Sequence, residues 1–156
     1  MARQALIRYR HSYEFSSTPQ ELWGAIQEVD QFERWWPWLE EFRVEGVLLA
    51  PGSVLHGVVA PPVPYKMRIR VELTRFEAPT AIDAVIHGDL EGKAQLEIHP
   101  TDNGCAVEVA WTVEMMQRSM RMASRVALPL LQWGHDRVVE ITVAGFRRRI
   151  DSADSD

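Results

Sequence analysis

The 156-residue sequence predicts an α+β protein in which an antiparallel sheet precedes one long C-terminal helix. Three observations carry this expectation. Apolar residues recur at every second position in segments between residue 5 and residue 115, the pattern of strands with one buried face. Short turn signals join the later segments, which makes their pairing antiparallel. From about Gln117 to Ile150 the apolar spacing becomes that of an amphipathic helix.

The first strand is expected over Ala5 to Phe15, with Ile7, Tyr9, His11, Tyr13 and Phe15 on one face and Arg8, Arg10, Ser12 and Glu14 among the other set. "SSTPQELWGAIQEV" then starts a helix. Thr18 suits the N-cap, Pro19 the first helical position and Glu21 the third residue after the cap. Leu22, Ile26 and Val29 share its buried face. Asp30 and Glu33 repeat the capping pattern for a second short helix, which Pro37 stops, because proline disfavours helical backbone in the residue before it. That helix ends in "RWWPWL". Neighbours on a helix point about 100° apart, so Trp35 and Trp36 cannot enter one core layer.

Strands follow at Phe42 to Leu49 and Val54 to Ala60, split by the turn "APGS". After "PPVP" a long strand begins near Tyr65, with Tyr65, Met67, Ile69, Val71 and Leu73 on one face. "TAIDAVIHGDLEGKAQLEIHP" supplies two strands joined at Gly88 and Asp89. "TDNG" turns into the last strand, where Val107, Val109, Trp111 and Val113 face inward. The total is seven strands. In the final helix Pro129 marks a break or kink. Beyond it Leu131, Val138, Val139 and Phe146 form an apolar arc, with His135 and Thr142 near its middle and Trp133 on the polar side.

Composition narrows the function classes. Hydrophobic residues make up 46% and charged residues 25%, the profile of a folded domain. One domain over residues 1–150 is expected, followed by a disordered acidic tail, "DSADSD", at 151–156. A net charge of −5 argues against a nucleic-acid partner. The run Arg147 to Arg149 reads as a solvated helix end. The single cysteine, Cys105, excludes an internal disulfide and suits a reducing compartment as a small apolar strand residue. With no secretory-type apolar run and no stretch of membrane-span length, a cytoplasmic protein is expected.

This order of elements resembles the helix-grip fold. The chain is similar to the SRPBCC superfamily, which includes the START lipid-transfer domains, the birch pollen allergen and the polyketide cyclase/dehydrase-like proteins. The similarity runs from "YEFSSTPQELWGAI" through "WWPWL" and "HGDLEG" to "PLLQWGHD". It implies a seven-stranded curved sheet wrapped around the C-terminal helix, two short helices after the first strand, and a cavity between sheet and helix.

On that frame the candidate ligand-binding residues are Trp35, Trp36, Tyr65, Met67, His87, Trp111, Leu131, His135 and Thr142. His87 is ambiguous, because its strand is apolar on both parities. His135 is the candidate acid/base, since a histidine on an apolar helix face either lines a cavity or is a core residue with a hydrogen-bonded ring. The five histidines form no tight metal-binding pair and no cysteine cluster supports them, so neither metal nor cofactor is expected. Nucleophile-elbow and phosphate-loop motifs are absent from the sequence. The leading expectation is binding of a hydrophobic or aromatic small molecule, lipid- or polyketide-like, in the central cavity. The alternatives are a cyclase/dehydrase-like enzyme using His135, and a protein-interaction module of the same fold.

Overall fold

The computed structural model describes residues 6–46, 49–62, 66–116 and 118–153, with side chains along the final helix from residue 132 to residue 151. The chain runs β1 (Leu6–Phe15), α1 (Pro19–Ile26), a 3-10 turn (Val29–Gln31), α2 (Phe32–Trp35), β2 (Leu39–Glu45), β3 (Val54–Val59), β4 (Met67–Glu77), β5 (Ala81–Gly88), β6 (Leu90–Thr101), β7 (Gly104–Met115) and α3 (Arg118–Ala153). The strands form one sheet in the order β1-β7-β6-β5-β4-β3-β2. Every neighbouring pair is antiparallel. This is the helix-grip arrangement.

Local chemistry accounts for most boundaries. The Thr18 hydroxyl accepts from the Glu21 N–H at 3.2 Å, and Pro19 occupies the first turn of α1. Trp36, ahead of Pro37, is extended at φ −124° and ψ 97°, which ends α2. Gly88, at φ +115°, makes the β5–β6 hairpin possible; a Cβ there would lie 2.5 Å from the Arg68 carbonyl oxygen.

Four expectations need adjusting. Asp30 does not cap α2: Gln31 holds that position without a side-chain bond, and Asp30 accepts from the Gln31 amide instead. The Glu33 carboxylate accepts from the Phe42 N–H, tying α2 to β2. β2 starts at Leu39 rather than Phe42, because a register shift between Glu40 and Arg43, with Glu41 at φ 49°, breaks the period of two. α3 is continuous through Pro129, as an internal proline removes one intrahelical hydrogen bond without having to end the helix. It extends to Ala153, three residues into the expected tail, while residues 154–156 lie outside the described residues.

The basic run is more than a solvated end. Arg149 forks onto both carboxylate oxygens of Glu28, and the Arg147 guanidinium lies 4.3 Å from the Phe15 ring centroid. Both contacts hold the end of α3 against the N-terminal elements. Beneath them sits the main core. Leu22, Trp23 and Ala25 of α1 pack with Ile98, Cys105, Val107 and Ile150. Cys105 is fully buried, and that burial pushes its thiol upward from the ordinary value. A smaller cluster of Val59, Met67 and Met115 closes the other end of the sheet.

Candidate functional site

Between these two clusters the interior is hollow. A cavity of about 510 Å³ lies between the inner face of the sheet, α3 and the α2–β2 turn. Its wall is aliphatic and aromatic, and no described lining residue is charged.

The turn "WWPW" builds one side. Trp36 and Trp38 both line the cavity, with their rings stacked at 5.7 Å and 13°. The Trp36 indole N–H donates to the Thr142 carbonyl of α3 at 3.0 Å. The Trp38 carbonyl accepts from the Ala60 N–H, which anchors the chain as it returns to the sheet. Gly145 permits this approach of turn to helix: a Cβ there would lie 2.7 Å from the Trp35 carbonyl oxygen and 3.1 Å from the Trp36 ring. Trp35 points away from the cavity and packs on Phe146 at 6.3 Å, beside an outer cleft shared with Arg34 and Arg148.

The sheet and α3 supply an aromatic cluster opposite. Tyr9 pairs with Trp111 across β1 and β7, and their rings stack at 4.6 Å. Trp111 donates its indole N–H to Nε2 of His135 at 3.0 Å. An indole nitrogen only donates, so Nε2 carries no proton and the ring proton is on Nδ1, 3.1 Å from the Asp136 carboxylate. Both ring nitrogens of His135 are therefore engaged. The Thr142 hydroxyl donates to the Val138 carbonyl at 2.7 Å.

The remaining polar element is a pair of phenols. The hydroxyls of Tyr9 and Tyr13 lie 2.6 Å apart, and Tyr13 lines the cavity. Burial, then the hydrogen bond and the charge interaction with Tyr9, hold the Tyr13 phenol well above the ordinary tyrosine value, against an opposing influence of Arg147. His11, between them on the same face, is exposed and contacts the Tyr13 ring at 4.6 Å.

Of the sequence-selected residues, the cavity brings together Trp36, Met67, Trp111, His135 and Thr142. Trp35 does not line it. His87 does not either: Ile86 takes the inward position on β5, so His87 falls on the outer face opposite Arg70. Tyr65 and the side chain of Leu131 lie outside the described residues. Sequence reasoning passed over Tyr13 and Phe32, which also line the cavity. The parity of β1 puts Tyr13 on the inward face with Ile7, Tyr9, His11 and Phe15, but parity does not tell which of these five reach the cavity. On the outer face, ligand atoms of Glu97, His99 and Glu108 gather within 4.8 Å of one another. Glu108 is also paired with Arg10 at 3.3 Å, so the group reads as an exposed ion-pair cluster.

A model of the family described as polyketide cyclase/dehydrase and lipid transport matches residues 7–151. The chain belongs to this family. Among solved structures it is similar to TTHA0849 from Thermus thermophilus, at 14% identity over 95% of this chain and 98% of that one, with a TM-score of 0.76. Ara h 8.0201 gives 14% identity, 97% and 99% coverage and a TM-score of 0.68. Norcoclaurine synthase from Thalictrum flavum, in complex with dopamine and hydroxybenzaldehyde, gives 10% identity, 96% and 88% coverage and a TM-score of 0.66. At these identities the likeness establishes the fold. No curated protein matches the chain in sequence.

Proposed function

We propose that this member of the family binds a hydrophobic or aromatic small molecule, lipid- or polyketide-like, between the sheet and α3. One observation carries the reading: a void of about 510 Å³ with an uncharged, largely apolar described wall sits inside an otherwise packed interior. Pockets that take drug-sized ligands span about 300–1,000 Å³ and combine apolar walls with a few placed polar groups. The aromatic compounds held by the norcoclaurine synthase of the same fold are in keeping with this class.

The catalytic alternative asks more of His135 than its surroundings provide. A general acid or base needs a ring nitrogen facing the reacting atom. Trp111 and Asp136 occupy both, which suits a positioning part, with the ring holding Trp111 in the cavity wall.

Native mass spectrometry of the purified protein, followed by denaturing extraction, tests the proposal together with titration by Nile red. A bound apolar compound, or saturable dye binding that Trp36→Ala weakens, is the expected result. A protein that carries nothing and leaves the dye unbound overturns it.

A further inference from the structure

The polar groups on the cavity wall can be counted against their partners. The Trp36 N–H is spent on the Thr142 carbonyl, the Thr142 hydroxyl proton on the Val138 carbonyl, and the Trp111 N–H on His135. The Trp38 N–H is buried without a partner and out of contact with solvent, so it does not reach the void. The Tyr9–Tyr13 pair is different. Two hydroxyls carry two protons, and only one of them lies between the oxygens. The second remains to be donated. Tyr13 is the member that lines the void. An acceptor set against it selects the arrangement in which Tyr9 donates to Tyr13 and Tyr13 donates onward, each bond polarising the next.

The chemistry of the occupant follows from that count. The phenol of Tyr13 keeps its proton, because burial and the Tyr9 contact oppose its ionisation. The positive charge felt at the Tyr13 phenol, that of Arg147, stands outside the described wall. An ionised group in the void would therefore meet no counter-charge in contact with it, and a buried charge without one is heavily penalised. A second donor on the ligand would find few free lone pairs, since those of His135 Nε2 and the helix carbonyls already accept.

Resting on the binding function proposed above, we infer that the preferred ligand is an uncharged apolar molecule bearing a hydrogen-bond acceptor, such as a ketone, quinone or ester carbonyl, which Tyr13 receives. Tyr13 is then the specificity-determining residue of the cavity, and Tyr9 orients its proton.

Three probes of nearly equal shape test this: 2-acetylnaphthalene, 2-ethylnaphthalene and 2-naphthoate, each competed against Nile red at neutral pH. Tyr13→Phe should weaken the ketone about 3- to 10-fold, the worth of one neutral hydrogen bond, and leave the hydrocarbon within about 2-fold. Tyr9→Phe leaves the Tyr13 proton in place and should weaken the ketone less. The naphthoate should bind at least about tenfold more weakly than the ketone, for want of a counter-charge. Equal ketone affinity for wild type and Tyr13→Phe overturns the inference, as does a naphthoate that binds as tightly as the ketone. Should Tyr13→Phe fail to fold, shown by loss of the hydrocarbon as well, the carbonyl stretch of 2-acetylnaphthalene bound to the wild-type protein decides. A shift to lower frequency than in cyclohexane supports the hydrogen bond, and an unshifted band removes it. Failure of all three probes and of Nile red removes the binding function along with this inference. Binding of the probes with the ketone as indifferent to Tyr13→Phe as the hydrocarbon removes this inference alone.

Discussion

The part of the interior under α1 and the stretch beside it share one sheet face and one helix, yet the first is solid and the second hollow. At the solid end α1 lowers Leu22, Trp23 and Ala25 onto Ile98, Cys105 and Val107, and Ile150 of α3 completes the cluster. Over the hollow stretch α1 gives way to no helix of comparable length. α2 spans only Phe32–Trp35, and the tryptophans of the following turn stand at the side of the space rather than filling it. The strand residues that floor the two regions, Ile98 and Cys105 against Ile69 and Val113, are all apolar, and Val107 belongs to both. The covering element, and not the apolarity of the floor, separates core from binding site.

Truncation should expose that difference most strongly. Ile98→Ala at the solid end is expected to cost about 2–5 kcal/mol, because a new cavity opens in packed core away from the void. Val138→Ala removes a side chain that already borders a void and substitutes a better helix former, so its cost should be about 1 kcal/mol or less. Urea denaturation of the two variants measures both. Equal costs would mean that the void is closed in solution.

Enlargement sharpens the same contrast from the other side. Ala25→Leu forces extra volume into packed core and should destabilise by about 1–3 kcal/mol. Ala94→Leu projects into the cavity, so stability should stay within about 0.5 kcal/mol while Nile red affinity falls about tenfold or more. An Ala94→Leu variant as unstable as Ala25→Leu would place Ala94 in packed surroundings.

The smallest expected effect belongs to the phenol at the cavity wall. Because the Tyr13 phenol lies above its unfolded value of about 10, the unfolded chain releases this proton first as pH rises. Its contribution is fully present below about pH 10 and is lost progressively above it. Tyr13→Phe should flatten this alkaline arm of the stability curve, read as urea midpoints on either side of pH 10. An unchanged arm would mean that Tyr13 titrates as a solvated phenol.

Much of this was legible in the order of residues, for reasons of short range. Alternation in "YKMRIRVELTRF" and "CAVEVAWTVEM" put Met67 and Trp111 on the inner face, because strand parity is strict while the ladder is regular. The projection of α3 aligned His135 and Thr142 with Val138, Val139 and Phe146, since one long helix keeps its phase. Where phase is short or broken the reading failed. Across the four residues of α2 and the one after it nothing distinguishes Trp35 from Trp36 as the inward side chain, and the bulge at Glu41 moved the start of β2.

The sequence by itself determined the elements, their polar and apolar faces and the family, because those rest on periodicity, caps and turns among near neighbours. Only the tertiary structure decided that His87 faces outward, that Trp111 occupies a histidine nitrogen 24 residues away, and that two phenols four residues apart share one proton. It also decided that the apolar faces leave a hollow between them. Whether such faces meet or stand apart depends on the volumes brought together by α1, the α2–β2 turn and α3, a sum over distant residues that no local pattern records.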